Sequence, residues 1–167
     1  MATAPTSPAF DPTRQLDIAR RAIAKHSFCV LATSSAKNRP HAVGILYAAV
    51  DLTLYLLTGE NTVKIRNIRE NPKVAVSIPV RKYPFAPPMA VQFQGVGAVL
   101  AVDDPHIQPL LGTGRLKRIT SFGALDTPGA CFITVTPHRR ISTYGLGIPL
   151  ARLLRDLSGG ARSVELP

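Results

Sequence analysis

Leu52-Thr53-Leu54-Tyr55-Leu56-Leu57-Thr58-Gly59 runs into Glu60-Asn61-Thr62-Val63-Lys64-Ile65-Arg66-Asn67-Ile68-Arg69-Glu70-Asn71-Pro72, and the junction of these two segments decides how the chain is read. The first is an apolar, strand-like run that ends at Thr58-Gly59. The second reads as a short helix beginning at Asn61 or Thr62, whose side-chain oxygens suit an N-cap, and ending at Asn71-Pro72, because the residue before proline is pushed out of the α region. Lys64 and Arg66 fall in or near the first turn, where the helix dipole already places partial positive charge and a cation is disfavoured by about 0.3–1 kcal/mol. A bound anion reverses that sign, since free N–H groups, hydroxyls and a lysine can converge on a phosphate. A strand, a hydroxyl-glycine turn and a short helix carrying a lysine together mark a candidate phosphate site.

Outward from this junction the chain reads as strands. Residues 1–12 hold Pro5, Pro8 and Pro12 among small residues and are expected to be a flexible leader. Residues 13–25 form an amphipathic helix by the spacing of Leu16, Ile18, Ala19, Ala22 and Ile23, with Asp11 as its cap and Pro12 in first position. Strands are expected at 28–33, 41–50, 52–58 and 73–79, with a hairpin about Asp51. Residues 81–88 form a proline-rich loop. A long strand at 89–102 contains Gly95 and Gly97, which suggest a bulge or a sharp bend. Asp103-Asp104-Pro105 opens a short helix that Gly112 and Gly114 break, leaving a loop to about 123. The last clear strand is 130–136. Antiparallel strands with few helices and glycine at bends point to a small β-barrel.

Composition narrows the function classes. The 167 residues suffice for one domain with a real core, and an apolar content of 46% is that of an ordinary globular protein. The longest uncharged apolar run, 42–50, is too short to span a bilayer, and residues 1–9 show neither the basic nor the apolar region of a secretory signal. No membrane partner is expected, and a cytoplasmic location is. Cys29 and Cys131 lie within apolar strands and read as buried thiols; no CxxC pair or Cys/His cluster suggests a metal site. The net charge is +10, from 20 Lys and Arg against 10 Asp and Glu. The basic residues are scattered and accompany no helix-turn-helix, zinc finger or RNA-binding aromatic motif, so no nucleic-acid partner is expected. No Ser/His/Asp set or paired-carboxylate site appears, which leaves any chemistry to a cofactor.

The order and spacing of several short motifs resemble the pyridoxamine 5′-phosphate oxidase-like, flavin-binding split-barrel superfamily. They are Val30-Leu31-Ala32-Thr33, Arg39-Pro40-His41-Ala42-Val43, Leu54-Tyr55-Leu56-Leu57-Thr58, Thr62-Val63-Lys64-Ile65-Arg66-Asn67, Asn71-Pro72-Lys73-Val74-Ala75-Val76 and Gln92-Phe93-Gln94-Gly95-Val96-Gly97. The resemblance covers about residues 25–137. It implies a mainly β fold, a six-stranded antiparallel split β-barrel with an N-terminal helix, occupying residues 13–150. Residues 151–167 would be a tail packed on the domain or on a partner.

The same resemblance implies a homodimer with flavin sites at the subunit interface and hydride exchange with a small-molecule substrate. By it, Thr58 and Lys64 would hold the cofactor phosphate, with Gly59 and Thr62 beside them. Backbone of His41, Ala42 and Val43 would lie along the flavin ring, and Gln92 or Gln94 would approach from the partner subunit. The expected cofactor is FMN, with the deazaflavin coenzyme F-420 as the alternative, its acidic tail suited to a +10 protein. A non-catalytic flavin, haem or deazaflavin carrier is the reading of another class. Two departures stand out. The oxidase proper has an arginine directly before the phosphate lysine, where this chain has Val63. The oxidase's C-terminal tryptophan-arginine motif is also missing, and the chain has no tryptophan. Oxidation of pyridoxamine phosphate is therefore not expected. Tyr55 reads as packing or interface, His138-Arg139-Arg140 as a solvated basic turn after the last strand, and Arg115, Lys117 and Arg118 as solvated.

Overall fold

The computed structural model of the chain describes residues 10–81, 87–121 and 123–166. Most of the expected leader, and the centre of the proline-rich loop, lie outside the described residues. The first helix, α1 (Pro12–Lys25), starts as its local chemistry dictates: the Asp11 carboxylate accepts from Thr13 N at 2.9 Å and Arg14 N at 3.2 Å, with Pro12 opening the first turn. Its buried face is Gln15, Ala19 and Ile23, spaced four apart.

Eight strands make one antiparallel sheet: β1 (Phe28–Ser34), β2 (Pro40–Leu46), β3 (Ala48–Val50), β4 (Thr53–Gly59), β5 (Lys73–Val80), β6 (Met89–Ala101), β7 (Ala130–Tyr144) and β8 (Ala161–Glu165). Their order is β2-β1-β5-β6-β7-β4-β3, with β8 added to the far half of β7. The sheet curls so that β2 approaches β4 without pairing to it, leaving a split in a barrel. Helix α2 (Val63–Glu70) follows β4. Three shorter helices, α3 (Gln108–Gly112), α4 (Lys117–Thr120) and α5 (Leu150–Arg155), decorate the connections and the tail.

The split-barrel expectation holds, and two of its details change. The expected strand 41–50 is two strands, because Tyr47 turns inward between β2 and β3 and is fully buried. Only its second part makes the hairpin with β4, about Asp51 at φ 56°. The expected last strand, 130–136, continues to Tyr144, and the tail returns as β8, so the sheet has eight strands rather than six. Pro137 and the basic triplet after it look like a chain break in sequence; in the fold they are a bulge. Phe93 pairs with Ile141 and Gly95 with Pro137, so His138, Arg139 and Arg140 stand opposite Gln94 alone. Arg139 takes φ 61° to permit this. The bulge also requires Gly95, where a Cβ would lie 2.6 Å from the Thr136 carbonyl oxygen.

The core is continuous through the barrel and both main helices. Ile23 of α1, Leu31, Leu54, Leu56, Ile78, Val91 and Ile133 of the strands, and Ile65 and Ile68 of α2 form one buried cluster. Gly97 on β6 admits α2, since a Cβ there would already touch Ile68 and Val74 at 3.3–3.4 Å. Truncating a side chain such as Ile65 to Ala at this density costs about 2–5 kcal/mol. A second cluster, Ala48, Ile107, Leu116, Ile119 and Phe132, lies on the other face of β4 and β7 and seats α3 and α4. The carbonyls at the C-terminal end of α1 are satisfied from outside the helix: the Tyr47 hydroxyl donates to Ile23 O at 2.8 Å, and Arg118 Nη1 donates to Ala24 O and His26 O at 3.2 and 2.9 Å. Arg118, expected to be solvated, is thus a helix cap. No helix among the described residues is long and apolar enough to cross a membrane.

Candidate functional site

Strand β4 ends against β7, with Thr58 opposite Cys131 and Gly59 opposite Ala130. Glu60 N then donates to Gly129 O at 2.8 Å, which turns the chain out of the ladder and into α2. Thr62 is the N-cap, with extended backbone at φ −101° and ψ 158°, yet its hydroxyl makes no capping bond. Among the described residues its Oγ1 is buried and has no hydrogen-bond partner. A buried hydroxyl left unsatisfied costs about 1–3 kcal/mol. The first helical bond runs from Arg66 N to Thr62 O at 3.2 Å, so the N–H groups of Val63, Lys64 and Ile65 have no acceptor within the helix. The first turn holds no acidic residue.

Lys64 is half-buried at this end and has no ion pair among the described residues. Burial pulls its ammonium below the ordinary lysine range, with Cys131 a smaller influence in the opposite sense. Burial raises the Cys131 thiol, while Arg69 and Lys64 nearby act to lower it and Glu60 to raise it. The place therefore combines an orphaned hydroxyl, unpaired backbone donors and a cation whose charge is disfavoured where it stands. Each of these deficits is relieved by an anion.

The split lies beside this site. A cleft of about 430 Å³ is walled by Gly44, Ile45 and Leu46 of β2 on one side and Leu57, Thr58 and Gly59 of β4 on the other. His41, Ala42 and Val43 lie further back on β2, paired to Thr33, Ala32 and Leu31 of β1. His41 is half-buried and its carbonyl accepts from Thr33 Oγ1 at 3.4 Å. Gln92 belongs to another surface. It is exposed on β6 and lines a cleft of about 490 Å³ with Val30, Ala32, Gln94, His138 and Arg140 among others. Within one chain, then, Thr58, Gly59, Thr62 and Lys64 are neighbours along β4 and α2, the β2 backbone is close by, and Gln92 opens on a separate cleft.

Sequence reasoning missed Asn67. It lies buried on the apolar face of α2 between Ile65 and Ile68, and its Nδ2 donates to Thr33 Oγ1 at 3.0 Å. Gln15 was also unforeseen; buried on α1, it donates to Thr143 Oγ1 at 2.7 Å and to Leu146 O at 3.2 Å. The signal for both was present as a polar residue in phase with an apolar helix face.

Among solved structures, the haem storage protein HutZ of Vibrio cholerae superimposes with a TM-score of 0.65 at 18% identity, over 83% of this chain and 98% of that one. A FAD-binding protein of Mesorhizobium loti superimposes with a TM-score of 0.58 at 21% identity, over 74% of this chain and 88% of that one. A haem-binding protein of Mycobacterium smegmatis gives 0.66 at 14% identity, over 89% of this chain and 57% of that longer one. At these identities the likeness is one of fold. No curated protein sequence matches the chain. The family model described as pyridoxamine 5′-phosphate oxidase matches residues 17–139, which takes in the greater part of α1, the strands through the start of the β7 bulge, and the whole β4–α2 junction. The chain belongs to the pyridoxamine 5′-phosphate oxidase family of split-barrel proteins.

Proposed function

We propose that the chain is a homodimeric, flavin-binding oxidoreductase that takes FMN and exchanges hydride with a small organic substrate. The observation that carries this reading is the Thr62 Oγ1, buried at the start of α2 beside a half-buried Lys64; among the described residues the hydroxyl has no partner and the lysine no ion pair. These residues fit the phosphate end of the cofactor. Thr58 and Thr62 would donate their hydroxyls to phosphate oxygens, Gly59 would keep the approach open, and Lys64 would supply the charge. The main chain of His41, Ala42 and Val43 would border the ring. When bound, the flavin would supply the redox chemistry that the chain's own side chains lack. The protein's part is to hold the phosphate, orient the ring and keep water from the reacting face.

The homodimer rests on the outer face of the sheet. Phe28 and Val30 of β1, Leu46 of β2 and Val96 of β6 are 45, 36, 53 and 49% exposed, large apolar side chains left facing outward. A second copy on this face would bring Gln92 of one subunit toward the flavin of the other.

The deazaflavin coenzyme F-420 is the second reading. It is favoured by Val63, which stands where the oxidase has arginine, and by the +10 charge, which suits an acidic tail. One experiment addresses both. Purified protein is examined for absorbance, then titrated with FMN, F-420 and haem, for the wild type and for Thr62→Val and Lys64→Ala. FMN binding that both variants weaken supports the proposal. Preference for F-420 with the same losses moves the cofactor and keeps the site. Uptake of haem alone, indifferent to both substitutions, overturns the proposal.

A further inference from the structure

The cleft between α1, the β3–β4 hairpin and the segment leading into α4 is unrelated to the β4–α2 junction. It measures about 680 Å³, within the range of small-molecule sites. Arg20 and Arg21 of α1 and Arg115 before α4 line it, with Asp51 the single carboxylate on its wall. None of the three arginines has an ion pair among the described residues.

Three guanidinium groups against one carboxylate leave the lining of the cleft with a local charge of about +2, a setting that attracts an anion most strongly at low salt. The arrangement is held by the fold. Leu116, next to Arg115, is fully buried, and Arg115 N donates to Leu110 O at 3.0 Å. Three residues on, Arg118 locks α4 to the end of α1 through Ala24 O and His26 O. The element that carries Arg115 is therefore fixed against the helix that carries Arg20 and Arg21.

We propose that this cleft binds a multiply charged phosphate ligand. Guanidinium is planar and engages phosphate oxygens in pairs, so three of them match a phosphate chain better than a single carboxylate. Ala49 and Leu52 add an apolar wall on which a base or another flat group attached to that chain can rest. The shared chemistry is the oligophosphate, free or as part of a nucleotide.

The test is calorimetric titration of the full chain with inorganic tripolyphosphate and, separately, with ATP, at low and moderate salt. The wild type, the triple variant Arg20→Gln/Arg21→Gln/Arg115→Gln and the control Lys37→Gln are compared. The three arginines are exposed, and thermal melts check that the triple variant is folded. The expected result is salt-sensitive tripolyphosphate binding that the triple variant weakens by about a hundredfold and Lys37→Gln, a charge removed from the exposed β1–β2 turn, leaves unchanged. Equal affinity for ATP identifies the free phosphate chain as the ligand, and tighter ATP binding identifies a nucleotide; both uphold the site. Undiminished binding in the triple variant, an equal loss in Lys37→Gln, or no tripolyphosphate binding at low salt overturns it. The outcome is independent of flavin binding.

Discussion

Asn67 on α2 donates from Nδ2 to the hydroxyl of Thr33 on β1 at 3.0 Å, and the Thr33 hydroxyl in turn lies 3.4 Å from the carbonyl oxygen of His41 on β2. Both side chains are buried. This chain ties the helix bearing Thr62 and Lys64 to the strand whose backbone would border a flavin ring. Replacing Asn67 with Ala removes the donor to the Thr33 hydroxyl, which keeps only its longer bond to His41 O, and opens a cavity, so stability should fall by about 1–3 kcal/mol. If the link also sets the spacing between phosphate and ring subsites, FMN affinity falls by more than the loss of folded protein explains. Denaturant melts and FMN titration at a temperature where the variant is fully folded separate the two effects. Wild-type stability in Asn67→Ala would show that the bond is incidental.

Gly95 and Gly112 should respond in opposite ways to the same substitution. A Cβ at Gly95 meets the Thr136 carbonyl at 2.6 Å, a backbone atom held in the ladder, whereas nothing lies within 4 Å of a Cβ at Gly112 on α3. Gly95→Ala is expected to destabilise by about 1–3 kcal/mol. Gly112→Ala is expected to be neutral or to stabilise by up to about 1 kcal/mol through the unfolded chain. Thermal melts of the two variants, read at about 2–4 °C per kcal/mol, give the comparison directly.

These local rules also explain which parts of the fold were legible in sequence. Asp11-Pro12 and Asn71-Pro72 act on their own neighbours, so both helix boundaries could be read from adjacent residues. The strands of the barrel announce themselves by apolar runs. The continuation of β7 beyond Pro137 depends on Gly95, more than forty positions earlier, and no local pattern carries that information. The same holds at the candidate site. Thr62 and Lys64 could be singled out from residue type and position, but the isolation of the Thr62 hydroxyl depends on packing around α2. Asn67 and Gln15 look like breaks in an apolar face until their partners, Thr33 and Thr143, are brought to them by the sheet.

The cysteines should be inert in the folded protein. Burial pushes the Cys29 thiol up to about 12, and Cys131 is raised in the same direction. At pH 8 the Cys29 thiolate would then be roughly one part in ten thousand, and access is closed as well. Maleimide labelling is expected to be negligible for Cys29 under native conditions and complete in denaturant. Cys131, adjoining Arg69 and Lys64, should label faster than Cys29. Prompt native labelling of Cys29 would contradict the packing described for β1.

Cofactor affinity should depend on pH through Lys64. In the free protein, burial depresses its pKa, so the folded chain holds this proton less tightly than the unfolded chain does. The charged form therefore costs stability at neutral pH, and the cost is relieved as pH rises through the depressed pKa toward the unfolded value. A bound phosphate favours the charged form and raises the pKa again. FMN binding should accordingly be strongest near neutrality, weaken as pH climbs through the depressed Lys64 pKa, and take up protons over that range. Lys64→Ala should bind about ten- to a hundredfold more weakly at neutral pH, the loss expected for one charge-assisted contact. It should also lose most of the alkaline pH dependence. A variant that is weaker but keeps the wild-type pH profile would move the titrating group elsewhere and leave Lys64 with a purely structural part in the site.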